Sequence, residues 1–253
     1  KWINHRVLFR QRWGYKRGKQ DAAKFLKYEE DVVEPTYQTL KAELVDKNIF
    51  EPIAIYAYYP CISWDNKIYI FDKKYLFNSL EEAKKVPPLS EAIKVLEFPR
   101  QKRKPFRCIA DFFANDRLDV VGFTLASAGL KISDYERKFY DRGEFTKYYQ
   151  VHGLGVELAE ALAEVLHKQI RLDWDIVPKE GHKLSDVQMK QYVGCRYSPG
   201  YAACPELSQN RDIFDILNPE KYGIELSETF QMHPEQTTCA IVVHNKEANY
   251  YNV

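Results

Sequence analysis

The segment best suited to chemistry runs from Gly194 to Pro205 and reads GCRYSPGYAACP. Its prolines, glycines and small residues favour a non-repetitive backbone with exposed amide groups. Arg196 can hold a carboxylate with two parallel hydrogen bonds, and Tyr201 offers a ring face and a hydroxyl. Gly200 permits close approach by a ligand. The segment predicts a site for an amino-acid-like carboxylate or a phosphate, but a rigid loop whose arginine pairs with a local glutamate fits equally well.

Motifs of the common enzyme classes are absent. Gly153 and Gly155 form a G-x-G, but the third glycine and a preceding strand are missing, so we interpret them as the entry to a helix rather than as a dinucleotide loop. There is no Walker loop, H-E-x-x-H or G-x-S-x-G. The six histidines are scattered, which favours surface or hydrogen-bonded roles over metal binding. They are His5, His152, His167, His182, His233 and His244.

Composition narrows the class of protein. The 253 residues are 45% hydrophobic and 29% charged, which excludes collagen, low-complexity disorder and a disulfide scaffold. The net charge of +1 gives no field that would attract nucleic acid or an anionic membrane, so we expect neither partner. No apolar run reaches the roughly 20 residues of a membrane span. There is no signal peptide, and the start at Lys1 without Met suggests a segment of a longer protein.

The cysteines indicate the compartment. Cys61, Cys108, Cys195, Cys204 and Cys239 are odd in number and far apart, and no C-x-x-C pair occurs. This spacing favours free thiols in a reducing cytoplasm over a zinc site or a disulfide framework.

Hydrophobic patterning places the elements. Residues 1–20 are basic and aromatic, and we favour an arm packed by its aromatics over a nucleic-acid patch. Residues 21–48 show helical spacing that Pro35 breaks or kinks. In 152–172, leucines at every fourth position predict a long helix, with Glu157, Glu160, Glu164, Lys168 and Arg171 off the apolar stripe.

The remaining elements indicate an α+β fold. Residues 78–98 are polar and predict a connection, and the strands are grouped rather than alternating with helices, so a mostly antiparallel twisted sheet flanked by helices is expected. The predicted strands are 52–59, 68–71, 106–113, 120–126 and 239–243, and the predicted short helices are 184–191 and 211–217.

Several motifs together resemble the activation domain of cobalamin-dependent methionine synthase. The loop from Arg196 to Pro205 is similar to that family's R-x-x-x-G-Y loop. Similar elements occur in family order from about residue 3 to the end, so the resemblance covers essentially the whole chain. They are the strand of 51–61 ending in Y-P-C, F-P-R-Q at 98–101, C-I-A-D-F at 108–112, the helix from His152 through His167, and the tail of 233–251.

The resemblance implies a single AdoMet-binding domain over 1–253, with an N-terminal arm and helices in 1–48 and a sheet and helical core in 49–253. It further implies the C-terminal part of a larger methyltransferase. Its function would be to support reductive methylation of cob(II)alamin with S-adenosylmethionine (AdoMet). The isolated domain would be inactive alone. Cobalamin would be bound by a separate domain, zinc would occur only in the full-length enzyme, and a flavodoxin or diflavin reductase would supply the electron.

Residue roles follow from the same resemblance. Arg196 corresponds to the family arginine that holds the AdoMet carboxylate, and Tyr201 to the tyrosine beside AdoMet that faces the corrin, a positioning role in catalysis. Ala202 and Ala203 would contribute backbone groups, and Tyr250 and Tyr251 would contact the nucleoside, with at least one of them facing the ligand.

Two positions depart from the family pattern. Asn4 stands where an acidic residue often meets the ligand's ammonium, and Lys190 stands where relatives can be acidic. Glu160 or Glu164 would compensate, although a charged helix face is more often only solvated.

Two other functions remain open. A docking module for a corrinoid domain or a flavoprotein reductase, without AdoMet binding, is the main alternative. An autonomous AdoMet methyltransferase is disfavoured because the sequence places no general base near the loop and lacks the Rossmann fingerprint.

Overall fold

The computed structural model describes residues 2–177 and 192–253. The predicted helix of 184–191 and the departure at Lys190 lie outside these residues. Within them, six strands form one antiparallel sheet in the order β3-β2-β1-β4-β8-β5, and β6 pairs with β7 in a small ribbon. The strands are β1 Ile53–Trp64, β2 Lys67–Ile70, β3 Lys94–Glu97, β4 Asp119–Ser127, β5 Cys195–Tyr197, β6 Glu225–Leu226, β7 Met232–His233 and β8 Thr237–Val243.

Helices cover both faces of the sheet. They are α1 His5–Val7, α2 Ala22–Tyr28, α3 Glu34–Asp46, α4 Leu80–Ala83, α5 Leu130–Asp141, α6 Phe145–Asp173 and α7 Gln209–Leu217. The predicted α+β fold with a mostly antiparallel sheet is therefore confirmed. No helix in the described part of the chain is long and apolar enough to cross a membrane.

Side-chain alternation in β4 divides the core into two layers. Phe123 and Leu125 share a buried cluster with Phe214 of α7, whereas Ala126 packs against Leu166 of α6. Successive residues of a strand point to opposite faces, so α7 and α6 lie on opposite sides of the sheet. The apolar stripe predicted for the long helix is thus confirmed in α6, which packs across β4.

The basic N-terminal residues form a packed arm, as predicted. Leu8 and Phe9 are buried, and the indole Nε1 of Trp13 donates to the carbonyl oxygen of Gln150 at 3.0 Å. A Cβ at Gly153 would lie 3.0 Å from Trp13, so the missing side chain lets the indole reach α6. The interpretation of the G-x-G as a helix entry was wrong, because both glycines lie inside α6, where they admit neighbouring side chains.

Two further sequence-based assignments were wrong. Residues 106–113 form a 3-10 turn at Ile109–Phe112 rather than a strand. The Asp111 carboxylate accepts the backbone N–H of Cys108 at 2.9 Å and also binds Arg100, so side-chain hydrogen bonds outweigh β-propensity there. The polar connection of 78–98 contains α4 and the edge strand β3. Helix α5 was not predicted.

Candidate functional site

A cavity of about 540 Å³ lies between α6, the segment that runs from Tyr192 through β5 and the loop after it, and the C-terminal segment. Strand β5 occupies the sheet edge beside β8, with Arg196 opposite Val242, and this placement brings the loop towards α6. The lining residues come from all three parts of the chain. They are Glu160, Tyr192, Gly194, Cys195, Arg196, Ser198, Tyr201, Ala248, Asn249 and Tyr250.

Arg196 is held against α6. Its Nη2 donates to Oε1 of Glu164 at 2.6 Å, and its side chain is only 12% exposed. Burial would lower the pKa of Arg196, but the carboxylates of Glu164 and Glu160 outweigh it and raise that pKa. The sequence left two possibilities for this arginine, a ligand contact or an ion pair with a local glutamate. The structure shows an ion pair, but with a glutamate 32 positions away in sequence, and Arg196 also lines the cavity.

Two carboxylates one helical turn apart differ in their partners. Both oxygens of Glu164 accept hydrogen bonds, from Arg196 and from the Tyr192 hydroxyl at 3.2 Å. Glu160, four residues earlier in α6, lines the cavity itself. Residues four apart share a helix face, so Glu160 lies beside the ion pair.

The loop after β5 places Tyr201 at the cavity mouth. Gly200 has φ +87°, and its N–H donates to the carbonyl oxygen of Cys204 at 2.8 Å, which closes a tight turn. Tyr201 is 58% exposed, so its side chain does not pack in the core. Ala202 is exposed, whereas Ala203 is fully buried in the core.

The two C-terminal tyrosines separate. Tyr250 is half exposed, lines the cavity and stacks on Tyr197 with ring centroids 6.0 Å apart. Burial, with Tyr201 nearby, raises the pKa of Tyr250 to about 12, so its hydroxyl is protonated at neutral pH. Tyr251 is buried in the core, with its ring centroid 6.4 Å from that of Phe112.

Asn4 lies beside α6 in the N-terminal arm. Its side chain accepts the backbone N–H of Val7 at 3.2 Å and caps the first helical turn. Its backbone N–H also acts on the carboxyl of Glu157, one turn before Glu160, and lowers the pKa of that carboxyl against the effect of burial. The structure therefore brings Arg196, Tyr201, Tyr250 and Glu160 to one cavity.

Sequence reasoning missed several lining residues, among them Tyr192 and Asn249. Neither belongs to a recognisable motif, and only tertiary packing places them at the cavity. It also placed Glu157 and Arg171 on the polar side of the long helix, but both are buried, because the arm covers Glu157 and Tyr192 covers Arg171. In the ranges 2–177 and 192–253, no group of three or more His, Cys, Asp or Glu could hold a metal ion.

Two methionine synthases and one solved structure are similar to this chain. The chain is 34% identical to methionine synthase from Mycobacterium tuberculosis (strain ATCC 25618 / H37Rv) and 32% identical to methionine synthase from Mycobacterium leprae (strain TN), over 99% of its own length. It spans only 21% of each of these relatives. The crystal structure of the MetH reactivation domain bound to AdoHcy has a similar fold, with a TM-score of 0.80 and 24% identity over 99% of this chain and 76% of that one.

A family match covers nearly the whole sequence. Residues 4–253 match the family described as "Vitamin B12 dependent methionine synthase, activation domain". The chain belongs to this family of methionine synthase activation domains.

Proposed function

We propose that this chain binds AdoMet and supports reductive reactivation of cobalamin in a methionine synthase. The observation that carries the proposal is the cavity itself, in which the guanidinium of Arg196, the carboxylate of Glu160 and the ring of Tyr250 come together. The similar fold seen in complex with AdoHcy supports the same ligand class.

The cavity residues fit the parts of AdoMet. Within the described residues, the Arg196 guanidinium makes one hydrogen bond, to Glu164, so further N–H groups can meet a ligand carboxylate. Glu160 supplies the negative charge that an ammonium group requires. It would thereby take the role of the acidic residue that the resemblance expects at position 4, where this chain has the neutral Asn4. Tyr250 offers a ring face to a nucleoside. A volume of about 540 Å³ lies within the usual range for small-molecule sites.

When bound, AdoMet supplies an activated methyl group on its sulfonium sulfur. The protein's part is then to bind and orient. Arg196 and Glu160 fix the amino-acid end of AdoMet. The exposed ring of Tyr201 at the cavity mouth controls how a methyl acceptor approaches from outside. A cobalt acceptor would bring its own electron pair and would need no general base, so a site that offers positioning rather than acid–base groups would be sufficient.

The partners belong to the same proposal. A cobalamin-binding domain, joined in a longer polypeptide, would meet the cavity mouth, and a flavodoxin or diflavin reductase would supply the electron. The single domain over 1–253, its division at residues 48 and 49, and the cytoplasmic location stay predictions. None of the five cysteines forms a disulfide in the described structure, which is compatible with a reducing compartment.

Calorimetry with AdoMet tests the proposal. Arg196→Ala is expected to make the free energy of AdoMet binding less favourable by about 2–4 kcal/mol, because it removes a charge-assisted contact in a largely buried site. Arg196→Lys should recover only part of this loss, since a lysine cannot form the planar fork. Arg211→Met is the matched control, because it removes an exposed arginine that pairs with Glu220. Unchanged affinity in both Arg196 variants would remove Arg196 from the site, and no binding by the wild type at millimolar AdoMet would favour the docking module.

A further inference from the structure

A second arginine lies beneath the cavity wall. Arg171 is completely buried in α6, and its guanidinium carbon lies 3.9 Å from the ring centroid of Tyr192. Its three side-chain nitrogens have no hydrogen-bond partner among the described residues. Burial lowers the pKa of Arg171. A buried guanidinium without hydrogen bonds is costly, and such groups call for a specific reason.

Contacts connect Arg171 to the proposed ligand site. The ring of Tyr192 stacks on Arg171, and its hydroxyl donates to Oε2 of Glu164 at 3.2 Å. The other oxygen of Glu164 accepts from Nη2 of Arg196 at 2.6 Å. Arg171 and Glu164 are seven residues apart and lie on one face of α6. The chain of contacts therefore runs from Arg171 through Tyr192 and Glu164 to Arg196.

Glu164 could otherwise compete with a ligand. A carboxylate and a guanidinium readily form two parallel hydrogen bonds. In this structure only one oxygen of Glu164 accepts from Arg196, and the other accepts from the Tyr192 hydroxyl. If Tyr192 moved, Glu164 could turn both oxygens to Arg196 and occupy the N–H groups that would receive a ligand carboxylate.

We propose that Arg171 is a positioning residue that fixes the Tyr192 ring and so keeps the Arg196 fork open for a carboxylate. The inference rests on the proposed function, because it concerns the same cavity. It assigns Arg171 to recognition of the amino-acid end of the ligand and not of the nucleoside. Cation–π stacking is strongest where the cation is desolvated, as it is here.

The test compares two ligands that differ in the amino-acid end. Dissociation constants for S-adenosylhomocysteine and for 5′-methylthioadenosine, which lacks that end, are measured by calorimetry on the whole chain. Arg171→Met keeps an apolar side chain of similar length under Tyr192 but removes the charge. We expect this variant to raise the dissociation constant of S-adenosylhomocysteine about tenfold or more, which is the size of a coupling between contacting residues. The dissociation constant of methylthioadenosine should change by less than about twofold.

Further variants keep the proposal falsifiable if Arg171→Met folds poorly. Tyr192→Phe keeps the stacked ring and removes the hydroxyl, and it should show the same selective loss. Arg171→Lys should recover part of the affinity, and Arg142→Met, at an exposed arginine after α5, should change neither constant.

The outcomes separate this inference from the proposed function. Equal weakening of both ligands, or unchanged binding of S-adenosylhomocysteine in Arg171→Met and Tyr192→Phe, would mean that Arg171 is merely structural. If the wild type binds S-adenosylhomocysteine and either of these outcomes is found, only the inference about Arg171 is overturned and the proposed function stands. If the wild type binds neither ligand at millimolar concentration, the proposed function and the inference fall together.

Discussion

The buried carboxyl of Glu157 should make the stability of this protein depend on pH. Glu157 is 4% exposed in α6, with Nε of Arg12 at 3.8 Å and no hydrogen bond to Oε2 among the described residues. Burial raises its pKa from 4.5 to about 7, although Arg12 and the N–H of Asn4 oppose the shift. Between these values the folded protein holds a proton that the unfolded chain has lost. This stabilisation is full below about pH 4.5 and disappears as pH rises through about 7.

The magnitude follows from the two pKa values. A difference of one pKa unit corresponds to about 1.4 kcal/mol, so the raised pKa of Glu157 contributes about 3 kcal/mol to the free energy of unfolding at low pH and about 2–3 kcal/mol at pH 5. Glu157→Gln keeps the shape of the side chain and cannot ionise. Its free energy of unfolding, relative to that of the wild type, should therefore rise by about 2–3 kcal/mol between pH 5 and pH 8.5.

Urea unfolding at pH 5 and pH 8.5 measures this difference, and groups that titrate in both proteins cancel. Glu228→Gln, at an exposed glutamate in the turn between β6 and β7, is the control and should show no such change. If the difference between Glu157→Gln and wild type were the same at both pH values within about 0.5 kcal/mol, the carboxyl would not be buried as described. The result bears on the site because Glu157 binds the arm one turn before Glu160.

Three further predictions concern the site and its partners. Gly194→Ala should destabilise the fold by about 2 kcal/mol or more, because φ is +90° and the new Cβ would lie 2.6 Å from the carbonyl oxygen of Val243. The control is Gly14→Ala, at φ +77° with open space around it, which should lower the free energy of urea unfolding clearly less. Equal losses in the two variants would exclude the steric clash. Tyr201→Phe should change the free energy of unfolding by less than about 0.5 kcal/mol and the AdoMet dissociation constant by less than about threefold. The rate of reductive methylation in a full-length enzyme should change by a larger factor. A loss of stability with a normal reactivation rate would refute the placement of Tyr201 at the cavity mouth. The chain alone should bind free cobalamin only weakly, since it has no D-x-H-x-x-G segment, the motif that the resemblance to methionine synthase implies as the source of the lower histidine ligand of cobalt. A stable coloured complex with free cobalamin would contradict this prediction.

The sheet could be predicted from the sequence because its strands carry a strong local signal. Runs rich in β-branched and aromatic residues correctly located β1, β2, β4 and β8. The same signal failed at 106–113, where the Asp111 carboxylate stabilises a turn. The 12-residue helix α5 was not predicted, although Ile132, Tyr135 and Phe139 recur at helical spacing, because seven of its residues are charged or polar.

The site was only partly predictable. Arg196 and Tyr201 could be identified because loop chemistry and a family motif single them out. The partner of Arg196 could not, since Glu164 is 32 positions away and meets it only after α6 crosses the sheet. Likewise, adjacent tyrosines at 250 and 251 look equivalent in sequence, but one lines the cavity and the other enters the core. The burial of Arg171 depends on Tyr192, which arrives from a different part of the chain.

A crystal structure of this chain with S-adenosylhomocysteine is the most direct test of the central claim. The account predicts the ligand in the cavity between α6 and β5, with its carboxylate within hydrogen-bonding distance of the Arg196 guanidinium and its adenine against Tyr250. A ligand bound elsewhere on the protein, or a cavity that stays empty at saturating ligand, would contradict it.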